Sequence, residues 1–190
     1  MINIRKISPT ISIGILDLKV FGQEHLNLLK RDLEKTGSLF LLGELLKTNE
    51  FELEYTSANK PFLKGRTEHI SISHSHDKLA IIIDQNQNTG IDIELIRDKV
   101  LKIQHKFLNP AELTFARDHI ERLITIWGAK EALYKVYGLK EVDFIKNLFI
   151  EDFDGDDIFG KIDIGSFKKR YKLRSENLDG YKLVYVLNEL

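Results

Sequence analysis

The chain has 190 residues, of which 43% are hydrophobic and 30% charged, and a formal net charge of -1. This composition is typical of a soluble globular protein with a substantial core, and it excludes a disordered or fibrous chain. The near-neutral charge argues against a general nucleic-acid binder, which is usually strongly basic. The lack of cysteine excludes disulfides and thiolate sites.

The sequence carries no sign of membrane targeting. No apolar run approaches the ~18 residues of a spanning helix, and the N-terminal residues carry charges too early for a signal peptide. We therefore expect a cytoplasmic protein that binds neither membranes nor nucleic acids.

The hydrophobic pattern predicts helices followed by strands, twice over. The predicted strands are 11–18, 51–55, 69–74, 78–84, 89–96, 147–153, 157–164, 168–174 and 181–187. The predicted helices are 23–35, 38–47, 99–117 and 119–137. This order predicts an α+β fold of two similar, pseudo-symmetric lobes, each with helices packed on a small, mostly antiparallel sheet. The N-terminal lobe would span 1–96 and the C-terminal lobe 97–190, packed together as one pseudo-dimeric unit.

The stretch GIDIELIRD places two carboxylates on one face of a predicted strand. Residues two apart in a strand share a face, so Asp92 and Glu94 point one way and the isoleucines between them the other. An antiparallel strand with one wet face explains this pattern without any site. However, like charges side by side repel, and Mg²⁺ bound by hard oxygen ligands would remove that repulsion.

A third carboxylate lies on the predicted helix 119–137. At about 100° per residue, Glu131 falls in the hydrophobic sector of Ile120, Ile124 and Trp127. An exposed ion pair with Lys135 is the ordinary interpretation of this spacing. Burial of the neighbouring positions favours a compensating cation instead, because a buried carboxylate costs several kcal/mol when unpaired. Asp92, Glu94 and Glu131 are therefore the candidate Mg²⁺ ligands, and Lys135 would meet a phosphate or neutralise Glu131.

The segment ISISHSHDK concentrates hydroxyl and imidazole groups at a strand end. A polar strand end entering a turn explains it without a site, and zinc on His74 and His76 is a rival interpretation that lacks a third soft ligand nearby. Ser73 and His74 beside a cationic site are better suited to phosphate binding.

Three motifs, SISHS (71–75), GIDIE (90–94) and WGAKEALYKVYG (127–138), resemble the 4′-phosphopantetheinyl transferase superfamily in order and spacing. In its length and in the presence of Trp127, the chain resembles the Sfp-like branch of this superfamily rather than the short trimeric holo-acyl-carrier-protein synthases. The resemblance runs from about Asn59 to Gly138.

The resemblance implies a transfer reaction in a cleft between two lobes. Coenzyme A would bind there, with Mg²⁺ on Asp92, Glu94 and Glu131 bridging its pyrophosphate. A serine of an apo acyl or peptidyl carrier protein would attack the β-phosphate, take the phosphopantetheine arm and release 3′,5′-ADP. By analogy alone, the protein is expected to act as a monomer.

The resemblance also implies roles for single residues. Glu131 would be the general base, directly or through water, and Lys135 would steady the pyrophosphate or protonate the leaving group. Ser73 and His74 would contact coenzyme A phosphates. Lys60, in Asn59-Lys60-Pro61, matches a Gly-Lys-Pro motif in which asparagine replaces the usual glycine.

One departure concerns the 3′-phosphate of coenzyme A. The family usually places a basic residue just before the second helix's LLG, where this chain reads Ser38-Leu39-Phe40. Lys30, Arg31 or Lys35 would have to replace it, or affinity falls.

Three further segments have simpler explanations than a site. A helix N-cap with a capping box is predicted at Asn109, Pro110 and Glu112. The alternative is that Glu112 also faces the site. The segment 151–157 predicts a turn rather than a calcium loop, because its glycine is misplaced. Basic residues of 168–174 predict a solvated strand face, with a landing patch for an acidic carrier protein as the alternative.

The main hypothesis is therefore a Mg²⁺-dependent holo-carrier-protein synthase. A Mg²⁺-dependent phosphohydrolase acting on a nucleotide-like substrate is one alternative. A catalytically silent module that binds coenzyme A or carrier proteins is the other.

Overall fold

The computed structural model describes residues 2–190. The strands are β1 Ile2–Lys6, β2 Ile11–Asp17, β3 Leu53–Tyr55, β4 Pro61–Leu63, β5 His69–Ser75, β6 Lys78–Asp84, β7 Ile91–Leu95, β8 Leu148–Asp154, β9 Asp157–Ile164, β10 Phe167–Leu178 and β11 Tyr181–Glu189. The helices are α1 Leu18–Phe21, α2 Lys30–Leu46, α3 Lys99–Ile103, α4 Pro110–Ala116 and α5 Ile120–Tyr137, with 3₁₀ turns at Gly22–Glu24 and Gln104–Lys106.

Two antiparallel sheets form the centre of the molecule. The first has the strand order β1-β2-β6-β5 and the second β7-β11-β10-β9-β8, while β3 and β4 form a separate hairpin. Helix α2 packs on the first sheet and helix α5 on the second. The predicted α+β class, with helices packed on antiparallel sheets in two lobes, is confirmed.

The two sheets pack face to face, because alternate residues of their strands carry aliphatic or aromatic side chains toward each other. The residues buried between them are Ile11, Ile13, Ile15, Ala80, Ile82, Ile91, Ile93, Tyr181, Leu183 and Tyr185. The opposite face of β2 meets α2, and there Gly14 permits close approach: a Cβ atom on Gly14 would lie 2.8 Å from Leu41 Cδ1. On β7, the isoleucines thus point between the sheets and the carboxylates point away.

The prediction of two helices at 23–35 and 38–47 is wrong, because α2 is one continuous helix. The two predicted helices were separated at residues 36–37. In the structure Gly37 is instead a contact point, since a Cβ there would lie 2.9 Å from Leu18 Cδ2. The Ser38 hydroxyl donates back to the Glu34 carbonyl within the helix. Residues 25–29, predicted helical, lie between the 3₁₀ turn and α2.

The remaining differences concern short elements. Strand β1 was not predicted, and the β3–β4 hairpin was only partly predicted, as a single strand at 51–55. The predicted helix 99–117 is divided into α3, a 3₁₀ turn and α4. The division follows from the capping box at Asn109 and Glu112, which is confirmed and starts a new helix. The turn predicted within 151–157 is also confirmed, with Gly155 at φ 60° between β8 and β9.

The lobe boundary near residue 96 stays a prediction. Strand β7 precedes that boundary in the chain, yet it pairs with β11 in the second sheet. Within residues 2–190, no helix is long and apolar enough to cross a membrane.

Candidate active site

Strand β7 is the edge strand of the second sheet, and it carries the paired carboxylates. It lies against β5, the edge strand of the first sheet, and against α5. Gly128 of α5 faces Asp92, since a Cβ built on this glycine would lie 3.5 Å from Asp92 Oδ2. Asp92 and Glu94 therefore lie where the two sheets and the long C-terminal helix meet.

Asp92 is nearly fully buried and is held by one cation and one hydroxyl. Lys135 Nζ lies 2.8 Å from Asp92 Oδ1 and also donates to the Ile91 carbonyl at 2.8 Å. The Ser73 hydroxyl donates to the same Oδ1 at 2.8 Å. The other oxygen, Oδ2, is buried and has no hydrogen-bond partner within residues 2–190. A buried, unpaired carboxylate oxygen is unfavourable, so this atom is open to a further ligand.

Glu94 has a donor on each carboxylate oxygen. The Trp127 indole Nε1 donates to Oε1 at 3.1 Å, and the Ser75 hydroxyl donates to Oε2 at 3.1 Å. Trp127 is itself fixed by stacking on Phe144, with ring centroids 5.5 Å apart. Burial, followed by the negative charge of Asp92, raises the pKa of Glu94.

Glu131 is half-buried on α5 and interacts electrostatically with Asp92, Glu94 and Lys135. Burial, followed by the negative charge of Asp92, raises the pKa of Glu131 to about 7, while the Lys135 ammonium opposes the shift. A carboxyl group with a pKa near 7 exchanges protons easily at neutral pH. Glu131 shares its helix face with Ile120, Ile124 and Trp127, and in the structure all four side chains are buried or half-buried.

Lys60 borders a pocket of about 220 Å³ that Lys135 also lines, together with Asn59 and Gly138. Its ammonium group donates to the Val136 carbonyl at 2.9 Å, near the C-terminus of α5. Burial lowers the pKa of Lys60 to about 8. Asn59 has φ 65°, in the left-handed region that glycine and asparagine adopt most easily. The backbone conformation thus explains how asparagine stands in the position of the expected glycine.

His74 does not join Ser73, because neighbouring residues of a strand point to opposite faces. Its half-exposed ring lies 3.4 Å from Glu34, measured from Nδ1 to Oε1. There it lines a pocket of about 610 Å³ with Arg31, Lys35 and Ser38. Three residues, Asn59, Pro61 and Ile72, line both this pocket and the one beside Lys135. The two pockets are therefore neighbours in one groove.

One family model matches residues 88–186, and its description is 4′-phosphopantetheinyl transferase superfamily. The chain belongs to this superfamily. The matched segment includes β7 and the whole of α5, and hence all three carboxylates and Lys135. Lys60, Ser73 and His74 precede the matched segment, and assignment to the Sfp-like branch stays a prediction. A search of curated proteins finds no match to this chain.

Asp92, Glu94 and Glu131 do not form a ready-made metal-binding cluster in this structure. Across residues 2–190, no three His, Cys, Asp or Glu side chains are arranged to hold a metal ion. Asp92 Oδ2 nevertheless presents the kind of unpaired buried oxygen that a divalent cation satisfies.

The most deeply buried ion pair among residues 2–190 was not predicted from the sequence. Lys130 Nζ lies 2.6 Å from Glu112 Oε2, and both side chains are fully buried. Glu112 therefore does not face the candidate site. Lys130 directly precedes Glu131, and its place on the helix wheel among apolar residues was the signal available.

The basic face of β10 is neutralised by acidic neighbours. The ion pairs are Lys168 with Asp163 at 3.3 Å, Arg170 with Glu151 at 2.8 Å, Lys172 with Asp157 at 2.7 Å and Arg174 with Asp157 at 2.8 Å. Such pairing supports an ordinary solvated surface over a landing patch for an acidic protein.

Proposed function

We propose that this protein transfers the 4′-phosphopantetheine arm of coenzyme A to a serine hydroxyl of an apo acyl or peptidyl carrier protein. The observation that carries this proposal is the Asp92–Lys135 pair, which lies in the family-matched segment and leaves a buried carboxylate oxygen without a partner. The expectation that the enzyme acts as a monomer stays a prediction.

The donor set fits Mg²⁺, a hard cation that takes carboxylate oxygens together with substrate phosphates. Asp92, Glu94 and Glu131 would hold it. When bound, the ion would supply positive charge that neutralises the pyrophosphate of coenzyme A. Two features support this assignment: the unpaired Oδ2 of Asp92, and the pKa of Glu131, which burial and the negative charge of Asp92 raise and which a bound cation would lower.

The protein groups around the carboxylates account for the remaining chemistry. Lys135 and Lys60 present ammonium groups to one pocket, where they would contact phosphate oxygens of coenzyme A. Glu131 would accept the proton of the carrier serine, directly or through water. The serine oxygen forms a bond to the β-phosphorus as the bond to the bridging oxygen breaks, and 3′,5′-ADP leaves. Lys135 would stabilise the developing charge on that leaving oxygen.

The neighbouring pocket would receive the nucleotide end of coenzyme A. Arg31, Lys35 and His74 supply basic groups there, and Glu34 is the acidic residue among them. In this proposal, Arg31 and Lys35 replace the basic residue that the family usually carries at Ser38–Phe40. His74 would contact a phosphate from this pocket rather than from the carboxylate side.

The deciding experiment is intact-mass spectrometry of an apo acyl carrier protein incubated with this protein, coenzyme A and Mg²⁺. We expect the carrier mass to rise by one phosphopantetheine, and EDTA to abolish the gain. A carrier whose acceptor serine is replaced by alanine is the matched control and should gain nothing. Several unrelated apo carriers should be tested in parallel, because the structure does not select one.

A different result would redirect the proposal. Coenzyme A binding without mass gain on any carrier would favour the silent binding module. Release of 3′,5′-ADP from coenzyme A in the absence of a carrier would favour a phosphohydrolase. Both outcomes would contradict the transferase proposal.

A further inference from the structure

Three alternate serines of β5 bind three alternate backbone N–H groups of β7. The Ser71 hydroxyl accepts from Ile91 N at 3.2 Å, Ser73 from Ile93 N at 3.3 Å and Ser75 from Leu95 N at 3.3 Å. These three hydroxyls are all buried. Below, Ser71, Ser73 and Ser75 are called the serine ladder.

The serine ladder completes the open edge of the second sheet. Strand β7 pairs with β11 on one side only, so the N–H groups of alternate residues point away from that sheet. Unpaired backbone groups at a buried edge are costly, and here side-chain hydroxyls take the place of strand carbonyls. The first sheet thus holds the edge of the second through side chains.

Ser73 and Ser75 each make a second hydrogen bond that Ser71 lacks. Ser73 donates its proton to Asp92 Oδ1 at 2.8 Å, and Ser75 donates to Glu94 Oε2 at 3.1 Å. In the part of the chain that the structure describes, Ser71 bonds to no carboxylate. A hydroxyl that accepts from the backbone and donates to a carboxylate is fixed in direction at both ends.

We infer that Ser73 and Ser75 are positioning residues that orient Asp92 and Glu94 toward a bound divalent cation. This inference rests on the proposed function of the site. Ser73 occupies one oxygen of Asp92 and leaves Oδ2 for another ligand. Trp127 and Ser75 together fix Glu94 from two directions. Partners of this kind orient metal ligands, and their loss commonly costs about 10–100-fold in metal affinity.

The test compares Ser73→Ala with Ser71→Ala. Both variants remove one ladder hydroxyl and its bond to a β7 amide, but only the first removes a bond to a carboxylate. Binding of Mg²⁺ alone is measured by calorimetry, and Mn²⁺ binding by electron paramagnetic resonance. Trp127, the single tryptophan of the chain, gives a local fluorescence signal beside Glu94.

We expect Ser73→Ala to weaken Mg²⁺ and Mn²⁺ binding about tenfold or more, and Ser71→Ala to change it less than about twofold. Ser75→Ala should resemble Ser73→Ala. At saturating Mg²⁺, Ser73→Ala should regain most of its kcat, because the lost interaction affects metal affinity. Equal loss of metal affinity in Ser73→Ala and Ser71→Ala would overturn the inference.

Two controls separate this inference from the function beneath it. If the wild-type protein binds no Mg²⁺ and transfers nothing, the proposed function fails; if it does both and the two serine variants match, only the inference fails. Should an alanine variant unfold, Ser73→Cys and Ser71→Cys are compared instead, because a thiol fills the space but donates weakly. The same difference in metal affinity is expected, and its absence would again contradict the inference.

Discussion

Lys130 and Glu112 form a fully buried ion pair, with Lys130 Nζ 2.6 Å from Glu112 Oε2. Lys130 also donates to the carbonyls of Phe107 and Phe144, at 2.6 and 2.8 Å. Glu112 accepts from Ile150 N at 2.8 Å and completes the capping box of α4. The pair therefore links α5, α4, the segment before β8 and β8 itself, directly behind the candidate active site.

Lys130→Met should lower the free energy of unfolding by about 3–5 kcal/mol, because it leaves the Glu112 charge buried without its counter-charge. Urea denaturation measures this change. Lys146→Met is the matched control: this lysine is also paired with a carboxylate, that of Asp143, but its side chain is 79% exposed. We expect little change there. Equal stability of the two variants would show that the buried pair does not support the fold.

Glu131→Gln should reduce the transfer rate at least about 100-fold, as expected for loss of a general base that is also a metal ligand. The fold should survive, since the substitution removes a carboxylate whose charged form is disfavoured by burial. The melting temperature at pH 8 should therefore equal or exceed that of the wild type. Glu121→Gln, an exposed position on the same helix, should leave transfer unchanged. Full activity of Glu131→Gln would remove Glu131 from the site.

The raised pKa of Glu131 predicts how Mg²⁺ binding depends on pH. With a folded-state pKa of about 7, above the ordinary value of 4.5, this group stabilises the metal-free fold at low pH, and that stability is lost as the pH rises from about 4.5 through about 7. Mg²⁺ requires the ionised carboxylate, so its affinity should rise between pH 6 and pH 8. The raised pKa of Glu94 acts in the same direction.

Calorimetric titration with Mg²⁺ across this pH range checks the prediction. In Glu131→Gln the dependence on pH should be weaker, because the main titrating group is gone. A wild-type affinity that is flat between pH 6 and pH 8 would contradict the prediction.

Arg31 and Lys35 are expected to recognise the 3′-phosphate of coenzyme A. Replacing both with glutamine should raise KM for coenzyme A about tenfold, the amount expected for one lost charge-assisted contact, and should leave KM for 3′-dephospho-coenzyme A nearly unchanged. Lys30→Gln is the control on the same helix, because Lys30 lines a different pocket. An equal rise in KM for both substrates would assign these residues a role other than binding the 3′-phosphate.

Local sequence patterns predicted the long elements well. The apolar positions of α5 repeat at helical spacing, and the capping box at Asn109 and Glu112 uses residues only three apart. The antiparallel strands β8 to β11 follow one another along the chain, joined by short turns that the sequence marks with glycine. Such features depend on neighbours in sequence, so they are readable before folding.

At other positions, contacts between distant parts of the chain gave a structure that local sequence patterns did not predict. A break between two helices was predicted at residues 36–37, yet α2 continues through Gly37, whose lack of a side chain leaves room for Leu16 and Leu18. The hydrogen bonds of Ser73 and Ser75 to carboxylates of β7 were not predicted, and phosphate binding by Ser73 stays a prediction. A period-two match between serines 71, 73, 75 and residues 91, 93, 95 was the available signal.

The sequence by itself determined the α+β class, the two carboxylates of β7 on one face and the place of Glu131 on the apolar side of α5, because each follows from the periodicity of a single element. Only the tertiary structure determined which groups form hydrogen bonds and ion pairs with those carboxylates. Ser73 meets Asp92 across 19 residues of chain, Trp127 meets Glu94 across 33 and Lys135 meets Asp92 across 43. Contacts at such separations depend on how two sheets and a helix pack, and that packing is set by the sum of many apolar contacts rather than by any local pattern.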